Sequence, residues 1–152
     1  MIINAFLTLI KEKKLAFDVV AGTATAGIPH AAWIADRLNL PMVYVRAEAK
    51  KHGKQNQVEG LLQKNQKVLV IEDLISTGGS SVAAGLALRE AGAIVTDCVA
   101  IFTYQLTQAK EKFADANINI HTLSDFNSLL ETAKAYGYIN DQEKTQASAW
   151  QV

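Results

Sequence analysis

Cysteine, proline, aromatic residues and unbalanced charge are all scarce in this chain. Its 152 residues hold one cysteine, Cys98. No internal disulfide can form, and the apolar run around Cys98 marks it as a core residue and not a nucleophile. Lysine plus arginine and aspartate plus glutamate both number 15. Without a net charge of one sign, nothing recruits nucleic acid or a membrane globally, although local patches are a separate matter. No apolar run is long enough to cross a bilayer. Lys11, Lys13 and Lys14 follow the first apolar stretch instead of preceding it, which is the wrong order for a secretory signal. The expectation is a cytoplasmic protein. Three scattered histidines and one cysteine make no metal-ligand set, and His30 and His121 read as structural. There are no repeats and no low-complexity tract.

Hydrophobic residues make up 49% and charged residues 20%, too apolar for disorder and ordinary for a globular domain. The length suits one domain, residues 1–152, with a real core.

Along the chain, helical and strand patterns alternate. IINAFLTLIKEK is a helix with a basic last turn. AFDVVAG is a short strand stopped by Gly22. IPHAAWIADRLN is a helix whose broad apolar face carries Ile28, Ala31, Ala32, Ile34, Ala35 and Leu38, with Pro29 in its first turn. Pro41 ends that unit, and MVYVR is a second strand. KVLVIED is a third strand, apolar on both faces as in the middle of a parallel sheet. SSVAAGLALREAG is a helix stopped at Gly92, and IVTDCVAIFTY is a fourth strand. TQAKEKFADAN is a helix and INIHTL a fifth strand. SDFNSLLETAKAYG is a helix with a serine cap and a stop at Gly137, and NDQEKTQASAW is a last short helix. The alternation predicts a three-layer α/β/α fold with a mostly parallel sheet. In such sheets ligands gather at the C-terminal ends of strands, at the topological switch point. Residues 22–27, 46–60 and 72–81 are therefore the candidate segments.

Residues 76–81, Ser-Thr-Gly-Gly-Ser-Ser, lie between a strand and a helix. Gly78 and Gly79 allow tight geometry and close approach of a ligand. Free amides at the helix start favour an anion, and the hydroxyls of Ser76, Thr77, Ser80 and Ser81 add donors. A phosphate monoester is the expected ligand. Glu72 and Asp73 precede this loop. They would repel phosphate, so they face another part of the ligand: a sugar diol supplies donors, and Mg²⁺ is a natural counter-charge. A phosphate close to a diol describes ribose 5-phosphate. The competing reading is an acidic strand end with a serine cap on the next helix.

AGTATAGIP is a second turn of small residues after a strand. Gly22 and Gly27 have the spacing of P-loop glycines, but Ile28 stands where that motif needs lysine, so a P-loop is excluded. Its amides can wrap a second anion such as pyrophosphate, or it is a plain strand-to-helix turn. RAEAKKHGK gathers Arg46, Lys50, Lys51, His52 and Lys54 in a segment with no secondary-structure period. Such a run is ordinarily a solvated face. Beside two anion loops it reads as a lid that neutralises a polyanionic substrate, with His52 able to carry a proton. Residues 47–58 are expected to be the most mobile internal segment.

VLVIEDLISTGGS resembles the signature of the type I phosphoribosyltransferases: an apolar strand, two acids, then a phosphate loop. YVRAEAKKHGKQNQVEG resembles the catalytic loop of the orotate phosphoribosyltransferases. AGTATAGIPHAAWIAD and AIFTYQL are similar to the same family, particularly its Bacillus-like branch. The similarity runs from about Ile2 to Trp150. The resemblance implies transfer of ribose 5-phosphate from 5-phosphoribosyl pyrophosphate to orotate, with Mg²⁺, in pyrimidine biosynthesis. It implies that Glu72, Asp73, Leu74, Ile75, Ser76, Thr77, Gly78, Gly79 and Ser80 bind ribose 5-phosphate, with the acids on the 2′ and 3′ hydroxyls. Ser76 would also touch orotate. Thr23, Ala24, Thr25 and Ala26 would cradle pyrophosphate, and Arg46, Lys50 and His52 would reach it as the catalytic set, from the partner subunit of a homodimer. No residue is implied as a direct metal ligand; Mg²⁺ would sit with the substrate near Glu72 and Asp73. Neither nucleic acid nor membrane is an implied partner.

Three departures stand out. Ala47 occupies a position where many relatives are basic, Ala26 one where many have lysine, and FTYQL lacks the arginine that some relatives place there for orotate. The family also carries an N-terminal hood over the base. The sequence starts at the helix that follows the hood and stops soon after Trp150. It is therefore expected to hold the donor site and only part of the acceptor site, which leaves the activity of this chain alone in question. A non-catalytic phosphoribosyl pyrophosphate- or nucleotide-binding regulatory module is the alternative.

Overall fold

The computed structural model describes residues 1–47 and 57–151. The expectations on Lys50 and His52, and most of those on the 47–58 segment, fall outside the described residues. The elements in chain order are α1 (Ile2–Glu12), β1 (Val19–Thr23), α2 (Gly27–Leu38), β2 (Met42–Val45), β3 (Val58–Glu59), β4 (Lys67–Ile75), α3 (Gly79–Glu90), β5 (Ile94–Thr103), α4 (Thr107–Asp115), β6 (Asn119–Asp125), α5 (Phe126–Ala135), α6 (Asp141–Ser148) and a 3₁₀ turn (Ala149–Gln151).

Six strands form one sheet in the order β3-β2-β1-β4-β5-β6. All neighbours pair in parallel except β2 and β3. The expected α/β fold with a mostly parallel sheet is what the chain adopts. The expectation of five strands missed β3. Its two residues pair Tyr44 with Glu59 and Val45 with Val58, too short a strand to leave a period in the sequence.

Each face of the sheet has its own core. Phe6, Ile10, Ala31 and Ile34 of α1 and α2 pack on Val20, Leu69, Ile71 and Val99. Ala84 and Leu88 of α3, with Ala109 and Phe113 of α4, pack on Val68, Val70, Cys98 and Ala100. The central strand β4 is therefore buried on both sides, which is why its residues run apolar without alternation.

Several local expectations are corrected. Gly22 does not stop β1, which continues to Thr23. A Cβ on Gly22 would lie 2.7 Å from the Cα of Ile28, and one on Gly27 would lie 2.4 Å from the carbonyl oxygen of Ile71. These glycines let α2 start hard against β1 and β4, so they serve close approach rather than termination. Ala32 faces solvent, and the buried stripe of α2 is Gly27, Ala31, Ile34 and Ala35. The cap of α5 is Asp125, which accepts from the Ser128 amide at 2.8 Å, and not Ser124, which ends inside β6. Gly92 and Gly137 do follow their helices with positive φ.

Candidate functional site

The strand order reverses between β1 and β4, so the two strands that follow the chain in opposite directions across the sheet lie side by side. Crevices outside the carboxyl ends of such a pair are where open α/β sheets bind ligands. Both turns of small residues sit there, the Thr23–Ala26 turn at the end of β1 and the Ser76–Ser80 loop at the end of β4.

In the second of these, the chain turns at Gly78 (φ 74°), where an added Cβ would press on the Phe113 ring at 3.0 Å. Glycine is required by both the left-handed backbone and the ring beneath it. This turn aims the start of α3 at the crevice. No side chain caps α3, and its first intrahelical bond runs from the Val82 amide to the Gly78 carbonyl. The amides before Val82 therefore have no intrahelical partner, and the helix dipole adds to their pull on an anion. Ser76, Thr77, Gly79 and Ser80 are exposed around this opening. Ile75 is packed into the core, while Leu74 is 40% exposed. Neither apolar side chain has a polar atom for a ligand, so these two positions offer backbone groups only. The expected serine cap is replaced by Gly78, and Ser81 is not an open donor: it is 1% exposed.

Glu72 lies within β4, 4% exposed. Its Oε2 accepts from the Ser81 hydroxyl at 3.0 Å and its Oε1 from the Asp73 amide at 3.1 Å. Burial, and then a hydrogen bond shared with the neighbouring Asp73 carboxyl, push Glu72 up to about 7; the Ser81 hydroxyl opposes this. The two acids thus stand together, with Asp73 the more open. A carboxylate offers about four lone-pair sites, and two donors leave Glu72 with capacity to spare. Among the described residues no cluster of three or more histidine, cysteine, aspartate or glutamate side chains could hold a metal. The Glu72–Asp73 pair fits an ion that arrives with a polyphosphate, since Mg²⁺ takes one or two carboxylates and fills its shell with water and phosphate.

The Thr23–Ala26 turn is tied down differently. The Ala24 amide donates to the Val45 carbonyl at 2.9 Å, and the Ala24–Thr25 peptide is cis. Thr25 and Ala26 are exposed, and Ala24 is half-buried. Thr23 is 4% exposed and its Oγ1 has no hydrogen-bond partner among the described residues. A cavity of about 90 Å³ lies here, lined by Thr23, Ala24, Arg46, Gln57 and Ser80 among others. It joins the two turns, which the sequence could place only near strand ends. Next to it a wide hollow is lined by Ala24, Thr25, Tyr44, Arg46 and Ala47.

Arg46 pairs with Glu59 of β3 at 3.3 Å, and its amide donates to the Gln57 carbonyl at 2.9 Å. Glu59 and Gln57 were missed because β3 was missed. The other singled-out groups lie elsewhere. His121 meets Asp97 at 2.8 Å between β6 and β5. His30 lies between Phe6, which it meets tilted, and Trp33, which it meets edge-on. Cys98 is fully buried, and burial pushes its thiol above the ordinary range. A larger groove lined by Ile10, Leu15, Phe17, Leu38, Leu40 and Lys67 opens at the opposite end of the sheet, away from every candidate residue.

At the switch point, an apolar strand ending in paired acids and a glycine-turned helix start face a second turn of small residues. The family model for the phosphoribosyl transferase domain matches residues 1–128, and the chain belongs to that family. The chain is 67% identical to the orotate phosphoribosyltransferase of Coxiella burnetii over 150 residues, covering 99% of this chain and 72% of that one. It is 54% identical to the orotate phosphoribosyltransferase of Bacillus cytotoxicus over 142 residues, covering 93% and 68%. Its fold superposes on the crystal structure of orotate phosphoribosyltransferase from Aeropyrum pernix with a TM-score of 0.78 and 30% identity, over 89% of this chain and 75% of that one. Within the family, the chain belongs with the orotate phosphoribosyltransferases.

Proposed function

We propose that this chain transfers ribose 5-phosphate from 5-phosphoribosyl pyrophosphate to N1 of orotate. The C1′–pyrophosphate bond breaks, the C1′–N1 bond forms, the N1 proton passes to the departing pyrophosphate, and orotidine 5′-monophosphate and pyrophosphate leave, a step of pyrimidine biosynthesis. The observation that carries the reading is the buried Thr23 hydroxyl, without a partner among the described residues, in a cavity shared with Ser80 and Arg46. A buried hydroxyl left unpaired is costly, and an oxygen of a bound phosphate would complete it.

In this reading the α3 amides and the hydroxyls of Ser76, Thr77 and Ser80 bind the 5′-phosphate, and Glu72 and Asp73 accept from the 2′ and 3′ hydroxyls. The Thr23–Ala26 turn cradles pyrophosphate. As C1′ becomes cationic, pyrophosphate becomes more anionic, and Arg46, Lys50 and His52 balance it. Glu72 and Asp73 would stand beside any Mg²⁺ brought with the donor, and that ion would supply counter-charge to the leaving group. Ser76 also contacts orotate.

The chain works as one domain, supported by a single sheet drawing strands from Val19 to Asp125. A cytoplasmic homodimer sharing the basic loop follows from the family resemblance. No helix among the described residues is long and apolar enough to cross a membrane.

The test is ultraviolet detection of orotate consumption with phosphoribosyl pyrophosphate and Mg²⁺, paired with calorimetry of donor binding. Turnover with saturable donor binding is expected. Binding without turnover supports a regulatory module, and no binding removes the reading.

A further inference from the structure

The loop of residues 76–80 hangs between the last residue of β4 and the first of α3. One side-chain bond joins those two elements at its base: the Ser81 hydroxyl donates to Glu72 Oε2 at 3.0 Å. Both residues are almost fully buried, at 1% and 4% exposure. The other oxygen of Glu72 is held by the Asp73 amide. The carboxyl is thus oriented by two donors, one from its own strand and one from the first turn of the helix. Serine early in a helix usually bonds its own backbone or caps the helix, and α3 has no side-chain cap. Ser81 instead spends its hydroxyl across the elements, where it is too deep to reach a ligand.

We propose that Ser81 is a positioning residue that sets the sugar-phosphate half of the site by locking Glu72 to α3. This rests on reading the loop as a phosphoribosyl site. Without the Ser81 hydroxyl, the carboxyl loses one of its two orienting donors while Asp73 still stands beside it. The β4–α3 angle that shapes the loop loses its only side-chain tie among the described hydrogen bonds. Ligands that need the acids and the loop should suffer, and those held by the turn after β1 should not.

The experiment is calorimetry with ribose 5-phosphate and with metal-free pyrophosphate as separate probes, on the wild type, Ser81→Ala, Ser81→Thr, Glu72→Gln and the Glu72→Gln/Ser81→Ala double variant. Amide hydrogen exchange over residues 70–85 accompanies it. Ser81→Ala is expected to weaken ribose 5-phosphate binding about tenfold, the scale of one hydrogen bond to a charged group, and to leave pyrophosphate binding unchanged. Ser81→Thr, which keeps the hydroxyl, restores most of the affinity. The double variant binds no worse than Glu72→Gln alone, because the effect runs through that carboxyl. Exchange at residues 76–80 quickens in Ser81→Ala. Equal losses for both probes, or a full Ser81→Ala penalty persisting on top of Glu72→Gln, would overturn the proposal. A wild type that binds neither probe sinks the phosphoribosyl reading. The exchange arm still decides the Ser81 link in that case, and unchanged loop exchange would defeat it.

Discussion

The turn after β1 and the loop after β4 face each other across the switch point and are built on opposite plans. The first is held by its neighbours: α2 starts so close to β4 that Gly27 has no room for a Cβ beside the Ile71 carbonyl, Ala24 is tied to Val45, and the buried Thr23 hydroxyl has no partner among the described residues. The second is shaped by its own backbone. Gly78 turns left-handed over Phe113, the helix start is uncapped, and the buried hydroxyl, Ser81, is fully used on Glu72. One turn keeps a donor in reserve in a packed wall. The other keeps amides in reserve at an open mouth.

The most severe way to break the contrast is at the packed wall. Gly27→Ala puts a Cβ against a backbone oxygen that cannot yield, and is expected to cost on the order of 3 kcal/mol. That is roughly a 10 °C fall in melting temperature for a chain this size, readable by calorimetry. A variant that melts like the wild type would show that α2 is not seated as described.

Next comes the acid pair. Glu72 holds its proton up to about pH 7 in the folded protein but sheds it near 4.5 when exposed. Between those values the folded state binds more protons, so stability falls as pH rises across the window, by at most roughly 3 kcal/mol. Below about 4.5 this contribution is fully present, and above about 7 it is gone. Denaturant titrations at pH 5 and pH 8 should show the slope in the wild type and a flattened one in Glu72→Gln. Identical slopes would mean that the carboxyl is not the strained group.

At the open mouth, Gly78→Ala should be milder for the fold and harsher for the ligand. The positive φ costs roughly 1–2 kcal/mol, and ribose 5-phosphate affinity should drop about tenfold or more while pyrophosphate affinity holds. Equal loss for both anions would erase the division of labour. The smallest effect sharpens it most. Thr23→Val removes the unpartnered hydroxyl at nearly constant shape, so stability should rise by about 1 kcal/mol while pyrophosphate binding weakens. A fall in stability would mean that the hydroxyl already has a partner.

Much of this was readable along the chain. Val68–Ile71 running apolar into Glu72 and Asp73 marked a central strand and its mouth, because a strand buried on both faces cannot alternate. The small-residue turns were visible because runs of glycine, alanine, serine and threonine after an apolar strand stand out in the sequence. What escaped was anything settled by a partner far along the chain. The two-residue β3 exists because β2 is beside it, so Glu59 could not be matched to Arg46. Ser80 and Ser81 are indistinguishable neighbours in sequence, yet the helix turns one to the crevice and the other into the core. Gly22 looked like a stop because the helix lying against it could not be seen.

Taken alone, the sequence determined which segments are strands and helices, except the two-residue β3, that the sheet is mostly parallel, and which short stretches carry acids, hydroxyls and glycines. These follow from periodicity and residue chemistry, which are local. Only the tertiary structure decided that β1 and β4 are neighbours, that Thr23 and Ser80 line one cavity, and that Ser81 holds Glu72. Those facts depend on strand order and on the face each helix presents, and both are set by packing between residues distant in sequence.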